Sequence, residues 1–242
     1  MRTKLHATFL IVFLRTYLVA AAFNMRGLQN VGFIYAMDPG LVAIHRDPTE
    51  LRKARQRYAR NYNCHPYWTP FVAGMLLHME GEIAKGRMSS SAFGPIKDAA
   101  VNTLSALGDS VFGGTLLVTW ALAMSAMIIG DYAGTALVVS IALFLALQIF
   151  KFTSFVVGVR YGFPVLFQLR RLDLINWGDR LKIINALLLV FLLALCVPGK
   201  DSPTIWALTV LCVTLAAWAT ARLYIPRTLL ALTGAIVILF LA

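Results

Sequence analysis

Side chains able to do chemistry are scarce in this chain, and most of them stand beside hydrocarbon. The densest group is Leu107-Gly108-Asp109-Ser110-Val111-Phe112-Gly113-Gly114-Thr115, where a carboxylate and a hydroxyl sit at the mouth of an apolar run that reaches Ile129. A charge inside a membrane span costs about 3 kcal/mol unless it faces a partner, a cavity or water. The glycines around Asp109 and Ser110 let backbone approach backbone, or let a helix break and aim free peptide groups at a polar solute. A local reading stands beside this one, and the residues by themselves favour it: Asp109 as the N-cap of the following helix, with Ser110 in its first turn. Gln29 and Asn30 lie in the mixed stretch Asn24 to Gly40 and carry amides that must either bond nearby backbone or line a polar path. His65 lies in the turn Asn61 to Pro70, just before the two prolines that flank Tyr67-Trp68-Thr69; no second ligand stands at metal spacing, so a hydrogen-bonded turn histidine is expected. Glu80 closes the short apolar piece Phe71 to Met79, and Lys97 interrupts the half-apolar stretch Ala92 to Leu107. Such groups can hold a hydroxylated solute by paired donors and acceptors.

Bond-making chemistry is poorly served. There is no phosphate-cradling glycine loop followed by Lys and Ser or Thr, no His-Glu-x-x-His, and no serine at a nucleophile elbow. Asp109-Ser110 has no nearby histidine to act as base, which argues against acyl transfer. No catalytic residue, metal ligand set or cofactor motif is assigned. Cys64, Cys196 and Cys212 are odd in number and lack ligand spacing, so they are read as small hydrophobes.

The elements that must position these groups belong to a membrane. Of 242 residues, 59% are hydrophobic and 14% charged, with a mean hydropathy of +0.73; an ordinary soluble globule is excluded. The net charge of +11 is gathered in Leu51 to Arg60, Arg170 to Lys182 and Arg222 to Arg227, which marks the cytoplasmic side and anionic lipid rather than nucleic acid. Leu5 to Phe23, after a basic start, reads as an amphipathic or tilted first helix kept in the mature chain. Asp38-Pro39-Gly40 reads as a stop, and Asp47-Pro48-Thr49-Glu50 as the capped start of a basic helix. Phe71 to Met79 and Ala92 to Leu107, around a polar loop, have the pattern of a discontinuous or re-entrant helix. Phe112 to Gly130 and Gly134 to Phe150 follow as spans joined by a tight turn, with Lys151 marking the return and Phe152 to Leu169 re-entrant or interfacial. Arg170 to Lys182 is expected to be a loop, Ile183 to Val197 and Thr204 to Ala221 spans, and Thr228 to Ala242 a last helix. The expectation is one all-α polytopic membrane domain over 1–242: basic and amphipathic helices in 1–60, broken helices in 61–169, and closing spans in 170–242.

Three separated motifs resemble one family, the IID membrane component of the mannose/fructose/sorbose phosphotransferase system. Asn24 with Gln29-Asn30-Val31-Gly32-Phe33 is similar to that family's Asn-Tyr-Glu-Arg-Met-Gln-Asn-Leu-Gly segment. Asn63-Cys64-His65-Pro66-Tyr67, followed by Gly74 and Glu80, resembles its Asn-Thr-His-Pro-Tyr motif and following acid. Ile96-Lys97 and Gly108-Asp109-Ser110-Val111-Phe112-Gly113-Gly114-Thr115 resemble its Ile-Lys and Gly-Asp-Ser-x-Phe-x-Gly-Thr signatures, and Arg160-Tyr161-Gly162 sits where the family has Lys-Tyr-Gly.

The resemblance implies a multi-pass subunit of the bacterial inner membrane that pairs with a IIC subunit to conduct a hexose-type sugar. Cytoplasmic IIA and IIB proteins would carry the phosphoryl group, leaving this chain unphosphorylated and not an enzyme on its own. On that reading Gln29, Asn30, His65, Glu80, Lys97, Asp109 and Ser110 are the candidates for lining or bracing the path, and His65 is not a phosphohistidine. The sequence departs from the pattern at Arg26 and Gly27, where the family has Glu and Arg, and at Asn102 to Ala106, where its Gly-Pro-Leu-Ala-Gly run is lost. A divergent membrane scaffold or regulatory subunit therefore stays open as the alternative.

Overall fold

The computed structural model describes residues 2–169, 173–196 and 202–223, and over them the regular elements are all helices, joined by turns. Helix α1 (Arg2–Arg15) tightens into a 3₁₀ stretch (Thr16–Ala22), and after a turn come α2 (Asn30–Ile44), α3 (Pro48–Tyr58) and α4 (Thr69–Ala84). Helix α5 (Ser90–Gly108) runs without a break through a π segment (Asp109–Leu116) into α6 (Leu117–Ile129), and α7 (Ala133–Tyr161) returns beside it. A short α8 (Val165–Leu169), α9 (Leu174–Cys196) and α10 (Pro203–Leu223) complete the described chain.

Local signals explain the soluble-looking elements. Asp47 accepts from the Glu50 N–H at 3.0 Å, and Pro48 opens α3 where its missing N–H is harmless. The stop expected at Asp38-Pro39-Gly40 does not form, because α2 continues to Ile44. A proline inside a helix strips the carbonyl four residues earlier of its donor, here that of Tyr35. Arg15 Nη1 takes the vacant role at 3.0 Å, with its guanidinium 4.2 Å over the Tyr35 ring.

The core centres on α4, which is buried almost continuously from Thr69 to Glu80 and packs chiefly against the second half of α7. Gly74 and Gly158 meet where the two backbones touch: a Cβ at Gly158 would lie 2.6 Å from the Phe71 carbonyl oxygen and 2.8 Å from the Met75 nitrogen. Small residues at such a crossing let backbones close to contact, as in membrane helix pairs generally. Phe33 stacking on Tyr62 at 3.7 Å ties α2 to the turn before α4.

Four expectations are corrected. Asp109 is not an N-cap: its φ of −61° and ψ of −42° are helical, and the helix passes through it. The interruption foreseen there takes the form of wide π turns rather than a break, so Ala92 to Leu107 is the first part of one 40-residue apolar helix, Ser90–Ile129. The helix that holds Lys151 does not end there: α7 carries on to Tyr161 and absorbs most of the segment read as re-entrant. Leu174 already begins α9, so much of the basic stretch up to Lys182 is helical rather than loop. The helix expected over Thr228 to Ala242 lies outside the described residues, as does most of the turn before it.

Among the described residues two helices, Ser90–Ile129 and Ala133–Tyr161, are long and apolar enough to cross a membrane. Their outward faces are bare in the isolated chain, with Leu137, Phe144 and Ile149 each about three-fifths exposed. That surface asks for lipid or another chain.

Candidate functional site

The amides read from the sequence are engaged in joining two turns. Leu28, at φ +58°, closes a turn in which Asn24 and Leu28 exchange backbone hydrogen bonds of 2.8 and 2.9 Å. Asn24 Nδ2 donates to Asn30 Oδ1 at 2.9 Å, and Asn30 Nδ2 donates to the Ala59 carbonyl at 2.9 Å. Gln29 Oε1 accepts from the Cys64 N–H at 3.3 Å, while its backbone N–H donates to Tyr62. Asn30 is therefore spent on structure, whereas Gln29 also borders a small cavity beside the 3₁₀ stretch.

Glu80 forms a second, separate group. Its carboxylate is wholly buried and takes Arg57 Nε at 3.0 Å, Arg57 Nη2 in a very short contact and His45 Nε2 at 2.8 Å. This bidentate clamp joins α2, α3 and α4. Burial pushes the neighbouring Tyr58 phenol well above its ordinary range, and the Glu80 charge adds to the effect. Lys97, 1% exposed, stands apart from both groups with its ammonium 3.7 Å from Asp98 on its own helix.

The remaining candidates cluster at the π segment. Gly108 lies so close to the His65 side chain that a Cβ there would strike its Cβ and ring. The His65 imidazole stacks on Phe112, centroids 5.5 Å apart, and receives a long 3.4 Å hydrogen bond from the Tyr67 N–H. Burial pushes the imidazole below its ordinary range, with the Asp109 charge opposing and the Lys151 charge reinforcing. Asp109 and Ser110 are exposed beside it, Ser110 towards Gly178 of α9. From His65 a groove of about 290 Å³ runs between α6 and α7, lined by Tyr67, Phe112, Trp120, Ser140 and Phe144 among others.

The seven residues thus fall into several groups rather than one. Gln29 borders the small cavity, His65, Asp109 and Ser110 share the π segment, Glu80 is inside its clamp, and Lys97 and Asn30 are elsewhere.

Sequence reasoning missed four participants. His45 and Arg57 carry no local signal, because their partner Glu80 is distant in the chain. Asn185 of α9 is buried at the π segment, accepting from Thr119 Oγ1 at 2.6 Å and donating to the Thr115 carbonyl at 3.1 Å. Lys151 is the fourth: 7% exposed, it lies 3.7 Å over the Tyr17 ring. A lysine inside an unbroken apolar run was itself the signal, lost once the run was divided at that residue.

Cys64 lines the same small cavity, and burial pushes its thiol up to about 12. Since the thiolate is the nucleophile, a water-soluble maleimide at neutral pH is expected to leave Cys64 unlabelled in the folded chain and to label it after denaturation. Mass spectrometry of the Cys64 peptide reads the result, and rapid labelling of the native chain would contradict this burial.

Comparison with known proteins sets this geometry in a family. The profile of the "PTS system mannose/fructose/sorbose family IID component" matches residues 5–198. The fructose permease IID component of Bacillus subtilis (strain 168) is 27% identical over 154 residues, 63% of this chain and 54% of that protein. The PTS system mannose-specific EIID component of Escherichia coli (strain K12) is 26% identical over 159 residues, 63% of this chain and 53% of that protein. The chain spans about half the length of the curated relatives it matches. A solved structure described as "Structure of membrane protein" is similar with a TM-score of 0.73 at 20% identity, covering 96% of this chain and 94% of that one. Another, "CryoEM Structure of Mannose Transporter ManYZ and Microcin E492 (MceA) complex", gives 0.54 at 18% identity, covering 96% and 93%; at these identities the likeness is one of fold. With the profile spanning most of its length, the chain belongs to the IID component family of the mannose/fructose/sorbose phosphotransferase systems.

Proposed function

We propose that this chain is a multi-pass subunit of the bacterial inner membrane that assembles with a IIC subunit into the sugar-translocating unit of a phosphotransferase system. Soluble IIA and IIB proteins supply the phosphoryl group, and the chain itself is unphosphorylated. The observation that carries the reading is the pair Asp109 and Ser110, exposed on the π turns of a helix otherwise apolar enough to cross a membrane. π turns inside helices recur at functional sites, and a carboxylate held there is stable only against water, a polar solute or a polar partner face. In the proposed complex these groups and His65 border the passage of a hexose-type sugar, while Glu80 and Lys97 brace it and Gln29 and Asn30 fix the turns beneath. Hydroxyl groups of the sugar would exchange water for paired donors and acceptors along that border.

Uptake of labelled mannose, fructose and sorbose in cells expressing the chain with its IIC, IIA and IIB proteins tests this. Uptake is expected to need the chain, and Asp109→Asn to lower it about tenfold, the worth of one charge-assisted hydrogen bond, while the IIC subunit still co-purifies. The departures at Arg26, Gly27 and Asn102 to Ala106 favour the second reading, a scaffold or regulatory subunit. Co-purification with no uptake of any of these sugars would select it.

A further inference from the structure

Lys151 is the one charge on the described part of α7 that is buried and lacks a carboxylate partner among the described residues. Its ammonium faces the Tyr17 ring at 3.7 Å and, more distantly, that of Tyr67 at 5.6 Å. Ring faces attract a cation but accept none of its hydrogen bonds in full strength, and they leave its charge uncompensated. Beside it lies a cavity of about 50 Å³, lined by Lys151, Gln29, Thr16, Thr69, Cys64 and Tyr17 among others.

The donors and acceptors around that void are unequally spent. Thr16 Oγ1 donates to Phe13 at 2.6 Å, Tyr17 donates to Gln148 Oε1 at 2.7 Å, and Gln29 Oε1 is taken by Cys64. The hydrogens still unplaced are those of the Lys151 ammonium and of the Gln29 amide nitrogen, both on groups that line the void. A buried cation without a carboxylate partner, beside a void that a second donor-bearing side chain also lines, fits a negative guest. Size favours a small guest, since the void measures about 50 Å³.

We propose that the Lys151 cavity binds a small inorganic anion, with chloride as the physiological occupant, which neutralises Lys151 and fastens the 3₁₀ stretch to α7. The site is independent of the sugar reading, because its guest is an ion and its effect is read on the folded chain.

The test uses the full chain, purified in detergent with any membrane partner that accompanies it. Melting temperature is measured against chloride and bromide, with gluconate, too large for the void, holding ionic strength constant. A saturable upward shift with both halides is expected, and Lys151→Met should weaken the apparent halide affinity roughly tenfold or more, the loss of a charged hydrogen-bond donor. Gln29→Glu keeps an oxygen for Cys64 and places a carboxylate in the void. It should abolish the halide response while raising the melting temperature in gluconate, and this readout survives if Lys151→Met fails to fold. An equal response in gluconate, no saturation, or an undiminished halide response in Gln29→Glu would each overturn the proposal.

Discussion

Gly158→Leu is expected to abolish recovery of folded protein, while Gly81→Ala, two turns from Gly74 on the partner helix, is expected to be tolerated. At Gly158 even a single methyl would stand 2.6 Å from the Phe71 oxygen and 2.8 Å from the Met75 nitrogen. These are backbone atoms of α4, so no rotamer change relieves the collision; the helices must part. Overpacked cores usually lose about 1–3 kcal/mol, and here a rigid separation along the principal seam of the core adds lost dispersion contacts along both helices. A cost above about 3 kcal/mol is a large share of a domain's stability of about 5–15 kcal/mol. Gly81 lies on α4 with nothing within 4 Å of a built Cβ, so alanine there should gain about 0.5–1 kcal/mol from reduced backbone entropy. Gel-filtration yield in detergent and thermal melts compare the two. A well-folded Gly158→Leu chain with the parental melting temperature would mean that α4 and α7 do not meet at this point.

Much of this architecture was legible because membrane physics writes it coarsely: long apolar runs, basic clusters, and the capped start of α3 all lie in contiguous sequence. Boundaries failed where a distant residue supplied what a local signal said was missing. Pro39 reads as a stop only until Arg15 is known to satisfy the Tyr35 carbonyl. Asp109 reads as a cap because Asp and Ser before an apolar run usually are one, yet α5 arrives already helical and passes into π turns, where Asn185 donates to the Thr115 carbonyl. Lys151 reads as an interface marker until Tyr17, far away in sequence, is seen to cover it. The candidate site was legible as a set of polar residues but not as a grouping. Whether an amide lines a path or ties a turn depends on which loops meet, and no spacing records that for Asn30 and Ala59.

The same ambiguity makes Glu80 the most informative residue to remove. Its side chain is 0% exposed and that of Arg57 is 16% exposed, so the two halves of the pair should be unequal in their effects. Glu80→Ala leaves a guanidinium that can still reach water, whereas Arg57→Met leaves a carboxylate that cannot, with His45 as its remaining partner at 2.8 Å. Breaking a buried pair costs about 3–5 kcal/mol, with Glu80→Ala expected at the lower end of that range and Arg57→Met at the upper. The double variant removes both charges of the pair, so its loss should fall short of the sum by about 0.5–3 kcal/mol, a coupling that a double-mutant cycle reads directly. Sugar uptake then separates bracing from solute contact. If Glu80 acts only by clamping α2, α3 and α4 together, the separate double variant Arg57→Leu with Glu80→Leu regains assembly and uptake together. Should it regain assembly but not uptake, the carboxylate has a second task at the sugar, and the bracing role assigned to it here is too small.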